Sequence, residues 1–158
     1  MTPPVRAAVR LRDLYSPDVI SLDLQATSKD AVLAELIGLL RVDDRSAETL
    51  LRVLQRRESL GSTGVGRGIA IPHSRSLVTR RLRLAYGHSR DGIEYQAIDD
   101  RPVHDLFLIV APPLEVSNQY LPVLGRIAQL AKDADISERL AALTSPEDFF
   151  RLLEEKGV

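Results

Sequence analysis

The sequence predicts an α/β fold, a sandwich in which a small mixed β-sheet is flanked by helices. Three observations support this prediction. A short strand-like segment near the start is followed by two segments with helical spacing of apolar residues. Several strand-like segments fill the middle of the chain, and helical patterns return in its last quarter. The chain contains no internal repeat and no low-complexity tract that would indicate a solenoid or a linker.

The first half of the chain contains one predicted strand and two predicted helices. Residues 19–24 alternate in part between apolar and polar side chains, which favours a short strand. Ser28 is a candidate N-cap for the first helix and Ser46 for the second, which brings Arg57 and Glu58 to its end. Each helix has an apolar stripe, formed by Val32, Leu33, Leu36, Ile37 and Leu40 in the first and by Ala47, Leu50, Leu51 and Leu54 in the second.

Two strands are predicted in the second half. Over residues 81–86, Leu and Tyr alternate with Arg and Ala, as expected for a half-buried strand. Residues 103–110 are apolar enough for a central strand, which Pro112 closes.

Three helices are predicted to complete the chain. The first covers about residues 117–132 and the second about 136–143. Ser145 caps the third, with Pro146 at its first position and Gly157 as its C-terminal cap.

The composition is that of one folded domain. With 158 residues, 44% of them apolar and 27% charged, the chain can build a full core and is too apolar for disorder. A net charge of −1 and the lack of a basic tract argue against non-specific nucleic-acid binding. The start of the chain does not have the apolar core of a signal peptide, and no apolar run reaches the roughly 20 residues that span a bilayer. We expect a cytoplasmic protein with a loose leader at residues 1–10 and one domain at 11–158.

A glycine-rich segment at residues 61–74 is the most informative feature. It reads Gly-Ser-Thr-Gly-Val-Gly-Arg-Gly-Ile-Ala-Ile-Pro-His-Ser. Its four glycines allow positive φ and close backbone approach, so several N–H groups could converge on an anion. Pro72 stiffens the approach to His73, whose imidazole is the obvious reactive group.

Two nucleotide-binding motifs begin like this segment, and neither fits. A phosphate-binding loop needs Lys followed by Ser or Thr where this chain has Arg67 and Gly68. A dinucleotide fingerprint needs a helix next, whereas residues 69–72, Ile-Ala-Ile-Pro, prevent a regular one.

The segment closely resembles the fructose/mannitol-type IIA domain of the bacterial sugar phosphotransferase system, and most of all its nitrogen-regulatory branch. The resemblance rests on Arg57-Glu58, on Gly61-Ser62-Thr63-Gly64 and on the run from Gly66 to His73. A later Pro102-Val103…Ala111-Pro112 segment extends it over about residues 10–155. It implies a small mixed sheet flanked by helices, with the active histidine at the sheet edge.

The resemblance implies that His73 accepts a phosphoryl group on Nε2 from a phosphohistidine carrier protein of the HPr or NPr kind. Neutral imidazole can act as the nucleophile near neutral pH without a separate base. The alternative is that a lone histidine after proline simply caps a strand. No cofactor or metal is expected, because the donor is itself a phosphohistidine. Further partners would be a IIB component, or regulated proteins such as kinases or transporters.

Supporting residues follow from the same resemblance. Arg57, sixteen residues before His73, would stabilise the phosphoryl group, unless it is an exposed helix-terminal arginine. Glu58 would fix Arg57 or the loop, or lie in solvent. Ser62 and Thr63 would donate to phosphate together with the Gly64 amide, or merely close the turn.

The chain departs from the family at three positions, one of which is Ser74, where Gly is common. Resembling proteins usually carry a second histidine where this chain has Tyr120, and a phenol adds no positive charge at neutral pH. The alternative is an ordinary core tyrosine, since a stripe joins it to Val123, Leu124 and Ile127. Arg67 stands where Asn or Glu is common. It could replace the lost charge if it turns inward, or set partner preference if it turns outward.

The remaining histidines and serines give no rival chemistry. His88 and His104 are expected to be structural, and the histidines show no zinc-ligand spacing. No nucleophile elbow indicates a hydrolase. We therefore predict a phosphotransferase component of the regulatory branch, because no IIB or membrane IIC segment is attached. A sugar-transport IIA and a phosphorylation-independent binding module are the alternatives.

Overall fold

The computed structural model describes residues 9–115 and 118–158, so the first eight residues of the predicted leader lie outside the described part. The fold is a six-stranded mixed sheet flanked by helices, which confirms the predicted class. Two short 3-10 helices, Leu11–Leu14 and Pro17–Val19, come first. The α-helices are α1 Lys29–Leu39, α2 Asp44–Ser59, α3 Tyr120–Leu130, α4 Ile136–Ala141 and α5 Pro146–Lys156.

The sheet is organised around one long antiparallel pair. The strands are β1 Ile20–Ser21, β2 Gly64–Gly66, β3 Ile69–Ala70, β4 His73–Arg75, β5 Arg83–Ile93 and β6 Val103–Ala111. β5 pairs with β6 in antiparallel fashion, and β1 lies parallel to the other edge of β5. β3 is parallel to β6 and carries β2 on its outer side.

β3 and β4 meet β6 one after the other, and this determines where His73 lies. Ile69 in β3 is opposite Asp105, whereas His73 in β4 is opposite Ile109, four residues further along β6. At about 3.3 Å per residue, these two points on β6 are about 13 Å apart. The beginning of β3 and the histidine therefore lie toward opposite ends of β6.

Most predicted helix boundaries are confirmed, and one cap is wrong. Ser28 accepts a hydrogen bond from the Ala31 amide, and Ser145 caps α5 in the same way. Ser46 does not cap α2. The Asp43 carboxylate does so by accepting the Ser46 amide at 2.8 Å, because a charged acceptor at this earlier position forms the stronger cap.

Two of the three C-terminal helices, α3 and α4, are somewhat shorter than predicted. α3 begins at Tyr120, and the predicted start at Ser117 lies outside the described residues. α4 ends at Ala141 rather than near Leu143. Gly157 has φ 68° and caps α5, as predicted.

Two strand predictions needed correction. Residues 19–24 form a strand only over Ile20–Ser21, because Pro17 starts a 3-10 turn that takes in Val19. The strand predicted over 81–86 begins at Arg83 and continues to Ile93. It is buried on both faces at Leu84, Ala85 and Tyr86, since partners cover both its edges and both its faces.

The core fills the space between the sheet and the helices. The predicted stripe of α1 is buried along its length. Tyr86 of β5 stacks on Phe149 of α5 with ring centroids 4.6 Å apart, and lies 5.0 Å from Phe107 of β6. This packing makes the β5–β6 pair a rigid support for whatever lies at its ends.

Candidate active site around His73

His73 begins β4, beside the C-terminal half of β6. The Ile109 amide donates to the Pro72 carbonyl at 3.0 Å, which fixes the backbone immediately before the histidine. Proline has a restricted φ, so the entry into β4 is stiff. His73 itself is half-buried.

The hydrogen bond of the imidazole determines its tautomer. Nδ1 of His73 lies 2.6 Å from the carbonyl oxygen of Ile71. A carbonyl can only accept, so Nδ1 carries the proton and, in the neutral ring, Nε2 keeps an unprotonated lone pair. The arrangement is that of a nucleophilic imidazole held by its own strand.

Arg57 lies in the last turn of α2, folded over the glycine loop. Its guanidinium donates to the Gly61 carbonyl at 2.8 Å. α2 packs against β4, the strand that carries His73. Arg57 also acts on Tyr120: burial raises the pKa of that phenol, and the Arg57 charge is one of two that oppose the rise.

Glu58 points inward and holds the loop. Its carboxylate accepts the Thr63 amide at 3.0 Å and the Thr63 hydroxyl at 2.5 Å, and pairs with Lys29 Nζ at 3.1 Å. Both Glu58 and Thr63 are buried. Burial without partners would cost several kcal/mol, so this network ties α1, α2 and the glycine loop together. The Thr63 hydroxyl is thereby directed into the protein rather than toward His73.

Ser62 and Gly64 shape the turn. The Ser62 hydroxyl donates to the Tyr95 carbonyl at 3.0 Å and accepts the Gly64 amide at 3.0 Å. A Cβ on Gly64 would lie 2.7 Å from the Cβ of Ala97, so only glycine allows this close approach.

Two backbone amides of the glycine loop donate hydrogen bonds to carboxylates of the protein itself. The Thr63 amide donates to Glu58, and the Arg67 amide donates to Asp99 at 3.0 Å. The bond from the Arg67 amide is the largest of the effects that lower the pKa of Asp99. These two amides of the glycine segment thus bind two separate carboxylates of the fold, rather than converging on one anion as the pattern predicted.

Tyr120 is the first residue of α3 and lies beside His73. Its ring centroid is 6.4 Å from that of the imidazole, with the planes at 56°. Burial raises the pKa of Tyr120, and the charges of Arg75 and Arg57 oppose that effect. Its stripe neighbours Val123 and Ile127 are fully buried. Tyr120 is therefore both part of the core and adjacent to the candidate nucleophile.

Arg75 is a neighbour of this site that the sequence analysis missed. Its guanidinium carbon lies 4.7 Å from the centre of the Tyr120 ring, and Nη1 donates to the Pro112 carbonyl at 3.2 Å. The available signal was strand periodicity, because residues two apart on β4 project to the same side as His73.

Arg67 lies away from His73. Its guanidinium donates to the Lys132 carbonyl at 2.8 Å, and its own carbonyl accepts from the Ser137 hydroxyl. It precedes β3, whose register places it near Asp105 rather than near Ile109. The structure thus brings Arg57, Tyr120 and Arg75 toward His73, and does not bring Arg67 there.

The other two histidines have partners within the fold, in line with their predicted structural role. His88 Nδ1 lies 2.8 Å from the buried Asp105 carboxylate, which also accepts the Tyr86 hydroxyl at 2.6 Å. His104 Nδ1 lies 2.8 Å from the Ser89 carbonyl. Across the described ranges, no three histidine or acidic side chains are grouped so that they could hold a metal ion. None of the helices described is long and apolar enough to cross a membrane.

Several known proteins are similar to this chain along most of its length. The nitrogen regulatory protein of Bradyrhizobium diazoefficiens is 31% identical over 144 residues, which cover 90% of this chain and 94% of that protein. The fructose-specific EIIA component of Haloferax volcanii is 32% identical over 142 residues, covering 87% and 90%. The fructose-specific EIIABC component of Bacillus subtilis is 28% identical over 93% of this chain, but the chain spans only 23% of that protein's length.

A solved structure and a family model extend the likeness to the whole fold. The crystal structure of the nitrogen regulatory protein IIA-Ntr from Neisseria meningitidis superposes with a TM-score of 0.81 at 29% identity, covering 90% of this chain and 98% of that one. The model of the phosphoenolpyruvate-dependent sugar phosphotransferase system, EIIA 2 matches residues 13–156. The chain therefore belongs to the EIIA type-2 family of the phosphoenolpyruvate-dependent sugar phosphotransferase system.

Proposed function

We propose that the protein is a phosphoryl carrier that accepts phosphate on Nε2 of His73 from a phosphohistidine carrier protein of the HPr or NPr kind. One observation carries this proposal. The 2.6 Å bond between His73 Nδ1 and the Ile71 carbonyl leaves the Nε2 lone pair as the nucleophile.

The transfer balances without an outside base. The Nε2 lone pair forms a bond to phosphorus while the P–N bond to the carrier's histidine breaks and its electron pair returns to that imidazole. The proton on Nδ1 stays in its bond to Ile71, so His73 neither gains nor loses a proton. Such transfers depend mainly on alignment and on offsetting the charge of the phosphoryl oxygens.

Arg57 is the first candidate for that electrostatic role. The Gly61 bond holds its guanidinium over the loop that leads to His73, and this bond uses one of its five N–H donors. Ser62, Thr63, Gly64 and Glu58 act one step further away by fixing this loop. Phosphate held by these groups requires no metal or other cofactor.

The regulatory branch is the function that the relatives favour. The near-full-length matches include several nitrogen regulatory proteins. We infer that phosphorylation of the domain at residues 11–158 controls its binding to other proteins, such as kinases or transporters. This role would place the protein in the cytoplasm together with its carrier.

A second candidate is a sugar-transport IIA that passes its phosphoryl group to a separate IIB protein. The similarity to the fructose-specific EIIA component of Haloferax volcanii favours it. The geometry at His73 serves both functions equally, because they share the acceptance step and differ only in the later fate of the phosphoryl group.

The test is phosphorylation by phosphoenolpyruvate, enzyme I and a carrier of the HPr or NPr kind, followed by intact-mass measurement in alkali. We expect one acid-labile phosphoryl group on the wild type and none on His73→Ala. His104→Ala is the matched control, since His104 has the same Nδ1-to-carbonyl bond but lies near the other end of β6. It should be phosphorylated like the wild type.

The outcomes separate the candidates. Loss of the phosphoryl group when a IIB protein is added would favour the sugar-transport role. A stable phosphoprotein whose binding to a regulated protein differs from that of the unmodified form would favour regulation. No phosphorylation by demonstrably active donors would refute both. It would leave the phosphorylation-independent binding module, the alternative suggested by Tyr120 standing where the family usually has a second histidine.

A further inference from the structure

Three side chains form a cluster at the end of β6. His73 and Arg75 are two residues apart on β4 and therefore lie on the same side of the strand. Tyr120, at the start of α3, neighbours both. The ring of Tyr120 is 6.4 Å from the imidazole, and its centre is 4.7 Å from the guanidinium carbon of Arg75. A guanidinium over an aromatic face at this distance is a cation–π contact.

Arg75 is exposed, yet two anchors fix its position. One is the face of Tyr120, and the other is the Pro112 carbonyl, which accepts from Nη1 at 3.2 Å. A surface arginine without anchors samples many rotamers, and ordering it on a ligand has an entropic cost. Because these two contacts already hold the Arg75 side chain in the unliganded protein, binding a ligand would cost less conformational entropy. The Pro112 bond uses only one of the five N–H donors.

The protonation state of Tyr120 suits this arrangement. Burial raises its pKa, although the charges of Arg75 and Arg57 act in the opposite direction. The phenol is therefore neutral at cellular pH. A phenolate would pair with Arg75 and compete with an incoming anion, whereas a neutral ring holds the guanidinium by its face and leaves its charge uncompensated.

We propose that Arg75 is a second cationic contact for the phosphoryl group on His73, and that Tyr120 is the positioning residue that keeps its guanidinium within reach. The inference rests on the proposed function of His73. Arg57 arrives from α2 and Arg75 from β4, so two separately anchored charges would face the dianion. The positive charge that Tyr120 itself cannot supply would thus come from the residue stacked on it.

The experiment measures two quantities, the initial rate of phosphoryl transfer from the phosphorylated carrier and the lifetime of the phosphohistidine in mild alkali. Arg75→Gln should slow transfer about 10- to 100-fold, as expected for loss of a hydrogen bond to a charged group. Arg90→Gln, which removes an exposed arginine near the other end of β5, is the control and should stay within about twofold of wild type.

Variants of Tyr120 test the positioning role. Tyr120→Phe keeps the aromatic face and should stay within about threefold of wild type, whereas Tyr120→Ala should slow transfer about 3- to 10-fold. In the Arg75→Gln background, Tyr120→Ala should have little further effect, because there is no guanidinium left to hold. Loss of packing alone would slow both backgrounds equally. Thermal unfolding of each variant shows whether it is folded at the assay temperature.

The results distinguish this inference from the proposed function. A wild type that takes no phosphoryl group refutes the function of His73 and the inference with it. A wild type that is phosphorylated on His73, together with an Arg75→Gln variant that matches it in rate and lifetime, refutes only the role of Arg75. Equal effects of Tyr120→Ala with and without Arg75 refute only the positioning by Tyr120.

Discussion

The two ends of the β5–β6 pair carry similar residues in opposite electrostatic settings. At one end, His73 bonds a neutral backbone carbonyl and shares its surroundings with Tyr120 and Arg75. At the other end, His88 and Tyr86 both bond one oxygen of the buried Asp105 carboxylate. Each end thus contains a histidine and a tyrosine, but only at the Asp105 end does a carboxylate bond both the imidazole and the phenol.

This difference indicates why one histidine is suited to an anion and the other to the core. Asp105 is 2% exposed and offers its charge to two donors, so that end forms an internal network. Near His73, the Arg75 guanidinium lies over the Tyr120 ring, and the Glu115 carboxylate accepts the backbone amides of Gln119 and Tyr120. An incoming phosphoryl group would be the anion that faces the arginines. The identity of the groups matters less than the charge that faces them.

The largest effect should come from removing the Asp105 carboxylate. Asp105→Ala would leave the buried Tyr86 hydroxyl and the half-buried His88 imidazole without their acceptor. We expect a loss of about 3 to 5 kcal/mol in the free energy of unfolding, because two hydrogen bonds to a charged acceptor are lost. Urea denaturation measures it.

Asp91→Ala is the control for this experiment, because Asp91 is an exposed aspartate on the same strand pair. Its effect should stay within about 0.5 kcal/mol. The folded fraction of Asp105→Ala should still accept phosphate on His73. An Asp105→Ala variant as stable as wild type would show that the network contributes nothing, and the contrast between the two ends would lose its basis.

The next effect concerns the other end of the pair. Arg57→Gln should lower the rate of phosphoryl transfer to His73 by a factor equivalent to about 2 kcal/mol, within the range for charge-assisted hydrogen bonds. Thermal unfolding should change little, since the lost Gly61 bond lies at the surface. Initial transfer rates from the phosphorylated carrier test this.

Arg56→Gln is the matched control for Arg57, because it removes the neighbouring, exposed arginine of the same helix turn. It should transfer at the wild-type rate. If both variants slow transfer equally, the effect is one of general surface charge, and Arg57 has no special place at the site.

Much of the fold was predictable because local signals agreed with tertiary packing. Ser28, Ser145 and Gly157 were identified as caps from their side chains or lack of one, and the structure places them as predicted. The strand predicted over residues 19–24 was too long, because Pro17 starts a 3-10 turn immediately before Ile20. The prediction that the strand over residues 81–86 is half-buried was wrong for another reason: it is a central strand, and such a strand is buried on both faces.

The position of the candidate nucleophile could be predicted from the sequence, and its surroundings less so. The Pro72-His73 pair is local, and the structure places this histidine beside β6. The partners of Glu58 and Arg67 depend on side-chain directions that no spacing reveals. Glu58 turns into the core toward Thr63, and Arg67 turns to Lys132. Strand periodicity could have indicated Arg75, but its contact with Tyr120 requires the packing of α3 on β6.

Tyr86 and Tyr15 both pack against the ring of Phe149, but they differ in whether the hydroxyl group has a hydrogen-bond partner. Tyr86 stacks on Phe149, and Tyr15 meets the same ring edge-on at 5.1 Å. The Tyr86 hydroxyl has Asp105 as its acceptor, whereas the buried Tyr15 hydroxyl has no partner among residues 9–115 and 118–158. An unpaired buried hydroxyl costs about 1 to 3 kcal/mol.

The smallest of the expected effects should therefore be an increase in stability, caused by removing the Tyr15 hydroxyl. Tyr15→Phe removes the unpaired hydroxyl and keeps the ring contact, so the free energy of unfolding should rise by about 1 kcal/mol at pH 7, as measured in urea. Tyr86→Phe is the matched control, and should lower it by a similar amount because Asp105 loses a donor. A Tyr15→Phe variant that is less stable than wild type would show that the hydroxyl has an acceptor after all.

The difference in stability between Tyr15→Phe and the wild type should increase at alkaline pH. Burial raises the pKa of Tyr15, so the folded protein keeps a proton that the unfolded chain releases above about pH 10. A raised folded pKa contributes stability that is complete below the unfolded value and declines as the pH rises beyond it, by about 1.4 kcal/mol per pH unit for each such group. Tyr15→Phe lacks one such group and should lose stability less steeply than wild type between about pH 10 and 11. Parallel slopes would mean that Tyr15 ionises as easily in the folded protein as in the unfolded chain, and that its hydroxyl is not sealed in the core.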